Sequence, residues 1–296
     1  MAGRNTMDIF AKAKKDRRKI TMVTCYDYSM ARIVDTTDID AILIGDSIGM
    51  TMLGYDSTLP VTMDDMVRAT QAVVRGTTKP LIVADMPFMS YQASFEEGMH
   101  NAARFLKEAG ANAVKIEGAT PATLMLIREL VDHGIPVIGH LGLTPQSVNE
   151  FGGYKTQAKE TQDIAELLLA CEHYVEAGVK ATVLECIPAE LGKHITLTFP
   201  FATIGIGAGP DCDGEIQVLQ DVLGISSRNP KHSTKFIEGA EIIGNALRDY
   251  DAAVKGKTFP TGDNSSHIDE QAISDAEDYL DGMYDSYDDS DDYLDN

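Results

Sequence analysis

Asp46 in "IGDS", Asp85 closing "LIVAD" and Glu117 closing "AVKIE" are three carboxylates, each placed at the end of a short apolar run. Carboxylates brought together from three such runs repel one another unless a cation joins them. Hard oxygen donors of this kind suit Mg²⁺, which keeps positions open for water and substrate oxygens. Taken singly, each acid equally suits a helix start, where a carboxylate accepts backbone amides. The three together, with Lys115 two residues before the third, favour the metal. Lys115 either offsets one of the acids or holds an anionic substrate and stabilises a developing enolate. Glu185 in "TVLEC" closes a further run; a carboxylate kept apart from a metal set is suited to general-base work, its plain alternative being a loop acid before Pro188. His140 in "IGHLG" fits a satisfied core histidine as well as a substrate contact.

These residues need elements to place them. Lys115 and Glu117 are two apart, so in a strand both point to one side, alternating with Val114 and Ile116. Short β-branched runs recur at 20–25, 41–44, 81–85, 113–117, 137–140, 181–186, 202–206 and 216–221. Each is followed by helical patterning, the mark of repeated βα units and a parallel sheet. Eight such runs predict an α/β fold, a (β/α)8 TIM barrel, whose active site lies at the C-terminal ends of the strands, where these polar residues stand. Asp46, Asp85 and Glu117 then end three neighbouring strands, and Glu185 lies across the mouth from them. Thr62 predicts a helix cap, Ser94 to Glu97 a capping box, and Thr120-Pro121 a proline at the first helical position. A doubly wound open sheet would need a glycine-rich dinucleotide fingerprint after the first strand, and none is present. "NEFGGYKTQ" reads as a mobile cover for the site, and "IGIGAGP" lies where barrels often bind phosphate.

The chain has 296 residues and a net charge of −21. From Thr261 to Asn296 there are thirteen acidic residues and neither lysine nor arginine, which leaves −8 on residues 1–260. The expected organisation is one catalytic barrel over 1–260 and a disordered acidic tail over 261–296. So anionic a surface excludes nucleic acid and anionic membrane as partners and fits a salt-adapted, halophile-like protein. No apolar run approaches the ~20 residues needed to span a bilayer, and the basic N-terminus is not followed by an apolar signal region. Four dispersed cysteines without CxxC pairs suit a reducing compartment. A cytoplasmic enzyme is the expectation.

In "TCYDYSMA", "IGDSIGMTMLGYDSTLPVT", "ADMPFMSY", "NAVKIEGA", "GHLGLTPQSVNEFGGYK", "VLECIPAELGKHIT" and "IGIGAGPDCDGEIQVLQDVLGI", the chain resembles the ketopantoate (3-methyl-2-oxobutanoate) hydroxymethyltransferase family of the phosphoenolpyruvate/pyruvate barrel superfamily. The resemblance implies transfer of a hydroxymethyl group from 5,10-methylenetetrahydrofolate to 3-methyl-2-oxobutanoate through a Mg²⁺-stabilised enolate, giving 2-dehydropantoate for pantothenate and coenzyme A synthesis. By that likeness Asp46, Asp85 and Glu117 serve Mg²⁺, Asp46, Ser47, Asp85 and Lys115 contact the 2-oxo acid, and Glu185 is the base. It also implies a homo-oligomer, often a decamer. "KIEGA" in place of a double glycine, the "PDCDG" turn and the acidic extension beyond His267 depart from the family pattern without removing a catalytic residue.

Two other readings differ in class. A C–C or C–P lyase or mutase would share the metal carboxylates, but the chain has no cysteine in a "KxCGH" block of the isocitrate lyase kind. A non-enzymatic binding protein with an acidic docking tail would not need Lys115 and Glu185 at the mouth.

Overall fold

The computed structural model describes residues 3–227 and 230–291, the last seven through their backbone alone. Eight parallel strands close into a barrel in sequence order: β1 (Ile20–Thr24), β2 (Ala41–Ile44), β3 (Leu81–Asp85), β4 (Ala113–Glu117), β5 (Val137–Gly142), β6 (Ala181–Glu185), β7 (Ala202–Ile206) and β8 (Gly214–Gln217). The chain divides into two compact units, Met1–Gly239 and Ala240–Asn296, and all eight strands lie in the first. Among the described residues no helix is long and apolar enough to cross a membrane.

Strand alternation sorts the core into two apolar clusters. Ile20, Met22, Leu43, Leu81, Val83, Ala113, Ile138, Val183 and Ile204 form one, capped by Phe10 of the helix Asp8–Asp16. Val23, Ile44, Ile82, Ala84, Val114, Ile116 and Val137 join the other, with residues of the surrounding helices. The first set is the filling of the barrel and the second the layer between sheet and helices. Counting by twos along the inward set reaches Asp85 on β3, Lys115 and Glu117 on β4, His140 on β5 and Glu185 on β6. The charged residues are therefore the topmost layer of the barrel interior.

Helix starts follow local chemistry. Thr62 and Asp65 form a reciprocal capping box at the helix Met63–Gly76, and the Thr120 hydroxyl caps Pro121–Asp132 by accepting from the amide of Thr123. The box expected at Ser94 is half made: the Ser94 hydroxyl accepts from the Glu97 amide without a return bond. β5 runs two residues past His140, which so lies inside its strand. β8 begins at Gly214, two residues before the expected Ile216, and the 219–221 segment is a short helix instead of strand. Gly214 packs where a side chain would strike Ile20 and Ile204; a residue chosen for its lack of a side chain carries no strand signal. The tail residues Glu270–Asp291 form a helix whose described side chains are exposed. Residues 292–296 of the expected tail lie outside the described part.

One packing contact bears directly on the site. Gly139 of β5 faces Tyr174 on the helix Thr161–Glu176, and a β-carbon there would overlap the tyrosine ring. Behind it the Tyr174 hydroxyl donates to the Gly118 carbonyl (2.8 Å) and accepts from the His140 amide (3.3 Å), which ties the ends of β4 and β5 together. Gly139→Ala should cost about 1–3 kcal/mol in urea unfolding through overpacking. Tyr174→Leu in the same chain should recover part of that loss, whereas independent, additive effects would show that the contact does not set the spacing.

Candidate active site

The C-terminal ends of β2, β3 and β4 bring Asp46, Asp85 and Glu117 together, each buried, with one carboxylate oxygen from each lying within 4.8 Å of the others. The strand register does this: Asp85 pairs with Lys115 across β3 and β4, and Glu117 pairs with His140 across β4 and β5. Lys115 Nζ lies 3.0 Å from Asp85 Oδ1 and 3.5 Å from Glu117 Oε1, and 3.0 Å from His140 Nδ1. His140 Nδ1 is 3.4 Å from Glu117 Oε1, while its Nε2 is 3.2 Å from Glu185 Oε2. Glu185 is thus linked to the cluster through His140 and is the most accessible of the group, its side chain 15% exposed. Ser47 is half-buried, and its hydroxyl is 2.8 Å from that of Tyr26.

Like charges at about 5 Å repel by roughly 3 kcal/mol per pair at an effective dielectric near 20, and the ionisation behaviour of the group shows it. Burial, then the charges of Asp85 and Glu117, push Asp46 well above the usual carboxylate range. Burial likewise lifts Asp85 to about 6 against the opposing pull of Lys115. For Glu117 burial is overcome by Lys115 and His140, which hold it low. Burial would strip the proton from Lys115, but Asp85, Glu117 and Asp46 keep it charged. His140 is opposed by burial and by Lys115, yet the carboxylates of Glu117 and Glu185 beside it raise it to about 9. One ammonium and one imidazole leave the three acids short of positive charge. Oxygen donors from three sides and a deficit of cations fit a hard divalent ion, with Asp46, Asp85 and Glu117 as its holders.

The structure adds a residue that a search for charged groups passes over. Gln146, in the turn after β5, donates through Nε2 to Asp46 Oδ2 (3.0 Å) and to the Met86 carbonyl (2.9 Å), and its backbone amide donates to Glu117 Oε2 (3.1 Å). The Tyr91 hydroxyl in turn donates to Gln146 Oε1 at 3.1 Å. One neutral residue therefore orients two of the three carboxylates. Its only signal in the sequence is its place two residues beyond Leu143-Thr144, following Pro145, at the mouth of the barrel. The glycine segment expected as a cover begins with the short helix Val148–Phe151 and is tied down where the Gln157 amide donates to the Cys186 carbonyl, next to Glu185.

A family model described as ketopantoate hydroxymethyltransferase matches residues 4–262. The chain belongs to the ketopantoate hydroxymethyltransferase family. Relatives named 3-methyl-2-oxobutanoate hydroxymethyltransferase include one from Clostridium novyi (strain NT), 46% identical over 91% of this chain and 98% of that one. Another, from Leptospira interrogans, is 48% identical over 88% of this chain and 99% of the relative. The chain is accordingly an enzyme. Among solved structures, phosphoenolpyruvate phosphomutase from Streptomyces platensis subsp. rosaceus superposes with a TM-score of 0.58 at 13% identity, covering 98% of this chain and all of that one. A phosphonopyruvate hydrolase solved with oxalate and Mg++ gives 0.57 at 11%, covering 96% and 99%. At such identities these two show the shared barrel alone. In this hydroxymethyltransferase-family site, Gln146→Leu should lower Mg²⁺ affinity about 10- to 100-fold in calorimetric titration, as loss of a ligand-orienting partner does; unchanged affinity would make Gln146 a space-filling residue.

Proposed function

We propose that the enzyme transfers a hydroxymethyl group from 5,10-methylenetetrahydrofolate to 3-methyl-2-oxobutanoate, giving 2-dehydropantoate for pantothenate and coenzyme A synthesis. The observation that carries the reading is the division of labour among the acids: three buried carboxylates around one ammonium, and a fourth, the part-buried Glu185, on β6 and joined to them through His140. Family membership and the names of the relatives supply the reaction class. Mg²⁺ held by Asp46, Asp85 and Glu117 would supply a Lewis acid for the keto and carboxylate oxygens of the substrate.

The chain's own residues do the rest. Lys115, kept charged by its three acidic neighbours, offers a fixed cation to the oxo-acid oxygen on which negative charge develops. Ser47, at the head of the segment after β2, offers a hydroxyl to the substrate carboxylate. Glu185 takes the proton from C3. His140, in contact with both Glu185 and Glu117, positions the base and ties its charge to that of the cluster. The electron pair left at C3 forms the new carbon–carbon bond to the one-carbon unit, one water supplies the hydroxyl oxygen, and tetrahydrofolate leaves. Burial of the whole layer keeps bulk water from competing for these charges.

We infer also that the enzyme works as a homo-oligomer, a decamer by family likeness. The helix Gly239–Lys255 supports this, because Ile243, Leu247, Tyr250 and Val254 recur at helical spacing and are exposed. A cytoplasmic location is consistent with free cysteines, of which Cys25, Cys171 and Cys212 are buried.

With folate absent, the enzyme and Mg²⁺ should exchange the C3 hydrogen of 3-methyl-2-oxobutanoate with D₂O, followed by NMR. Glu185→Gln should slow this exchange by about 10² to 10⁴ while leaving Mg²⁺ and oxo-acid binding near wild type, as expected on losing a positioned general base. Exchange at the wild-type rate would remove Glu185 from that role, and loss of metal binding would place it among the ligands.

A further inference from the structure

A cavity of about 230 Å³ opens beside the helix Ile48–Thr51 and the segment after β8. Met50, Met52 and Ile225 give it apolar walls, and Gln220, Ser226 and Ser227 supply polar groups. Its place in the fold is well defined. The helix bearing Met50 starts directly after Ser47, and the Leu219 amide donates to Thr24 Oγ1 at the end of β1 (3.1 Å), which anchors the Gln220 segment to the barrel mouth. The cavity therefore stands over β8, β1 and β2, whereas Glu185 ends β6, two strands round the barrel from β8 and four from β2.

Gln220 is the telling residue. It is only 6% exposed and lines the cavity, with its Nε2 3.5 Å from Met52 Sδ and its carbonyl Oε1 without a hydrogen-bond partner among the described residues. A buried amide oxygen left unsatisfied is costly and marks a place where a donor is missing. The Tyr154 hydroxyl, from the glycine segment after β5, lies 3.7 Å from Met50 Sδ and brings that segment to the same wall. Thioethers are soft, adaptable surfaces for the face or edge of an aromatic ring.

We propose that this cavity takes the pterin ring of the folate co-substrate. The proposal rests on the function proposed above and assigns the second substrate its place. A pterin is a flat fused ring with amine and amide N–H donors along one edge. Those donors complement Gln220 Oε1, while Met50, Met52 and Ile225 cover its faces. The volume is below the ~300–1,000 Å³ of pockets that enclose whole drug-sized ligands, so the ring enters and the aminobenzoyl-glutamate portion remains outside. The one-carbon unit, carried between ring and tail, then lies at the rim of the cavity, the side from which the short helix leads back to Ser47 and Asp46. It approaches the oxo acid from the β8–β1–β2 side, with the base on β6, two strands round from β8 and four from β2.

The test uses the intact Mg²⁺-loaded enzyme and two readouts: calorimetric binding of tetrahydrofolate, and C3 hydrogen exchange of 3-methyl-2-oxobutanoate without folate. Gln220→Leu should weaken tetrahydrofolate tenfold or more, and Gln220→Glu, which keeps an acceptor, should bind within about threefold of wild type. Met52→Trp, at a half-exposed position, should fill the cavity and abolish tetrahydrofolate binding. Exchange, which requires no pterin, reads the other half of the site and should persist in all three. Wild-type affinity for tetrahydrofolate in both Gln220→Leu and Met52→Trp would overturn the pterin assignment. Joint loss of binding and exchange would overturn the claim that the cavity is separate from the oxo-acid site. Wild-type enzyme that binds tetrahydrofolate at this cavity yet fails to exchange would sink the enolate reading and leave the cavity assignment standing.

Discussion

Three acids share one buried lysine, and the rest of the site is arranged around that imbalance. Lys115 is within ion-pair distance of Asp85 and Glu117 and is held charged by these two and by Asp46. That ammonium and the His140 imidazole together cannot satisfy three carboxylates, and taking such groups out of water without full compensation costs several kcal/mol per ion. Burial and mutual repulsion accordingly drive Asp46 and Asp85 toward their protonated forms. A protein gains no stability from this arrangement. On the function proposed above, its use would be to hold oxygen donors ready for a cation and for an anionic substrate that the cation draws in.

The barrel makes the arrangement geometrically inexpensive. Inward positions alternate along each strand, and the same alternation that packs Val83, Ala113 and Ile138 in the interior brings Asp85, Lys115 and His140 to the next layer. Glu185 reaches that rim by the same count on β6, where it pairs in register with Gly142 of β5. Strands cannot slip by one residue without turning every charged group into the apolar layer beneath the helices. Apolar packing deeper in the barrel thus fixes the positions of the charges above it. Tyr174 and Gln146 lock the two remaining freedoms, the spacing of β4 and β5 and the orientation of Asp46 and Glu117.

Much of this was legible in the sequence because strands buried on both faces read as uninterrupted β-branched runs, and a charged residue inside such a run is conspicuous. "AVKIE" announces both its strand and its two site residues, and all eight strands could be placed to within a few positions. What escaped did so for identifiable reasons. Gly214 opens β8 because only hydrogen fits against Ile20, and a missing side chain gives no pattern. Gln146 acts through an amide, which carries no charge to attract notice, and its partners are 29 to 100 residues away in the chain. The tail's acidity leaves it without a core to pack against, and the described side chains of Glu270–Asp291 are all exposed.

If the acidic cluster is kept for a cation, the metal-free protein bears a cost in stability. Thermal unfolding of wild type and Asp46→Asn at pH 8, each with and without Mg²⁺, tests it directly. Asparagine keeps the oxygen that accepts from Gln146 and removes one repelling charge. Asp46→Asn should melt higher than wild type without metal, Mg²⁺ should raise the melting temperature of wild type, and the variant should lose this Mg²⁺ response. A variant that melts lower than wild type without metal and is still stabilised by Mg²⁺ would show the opposite, that Asp46 holds the fold and not the ion.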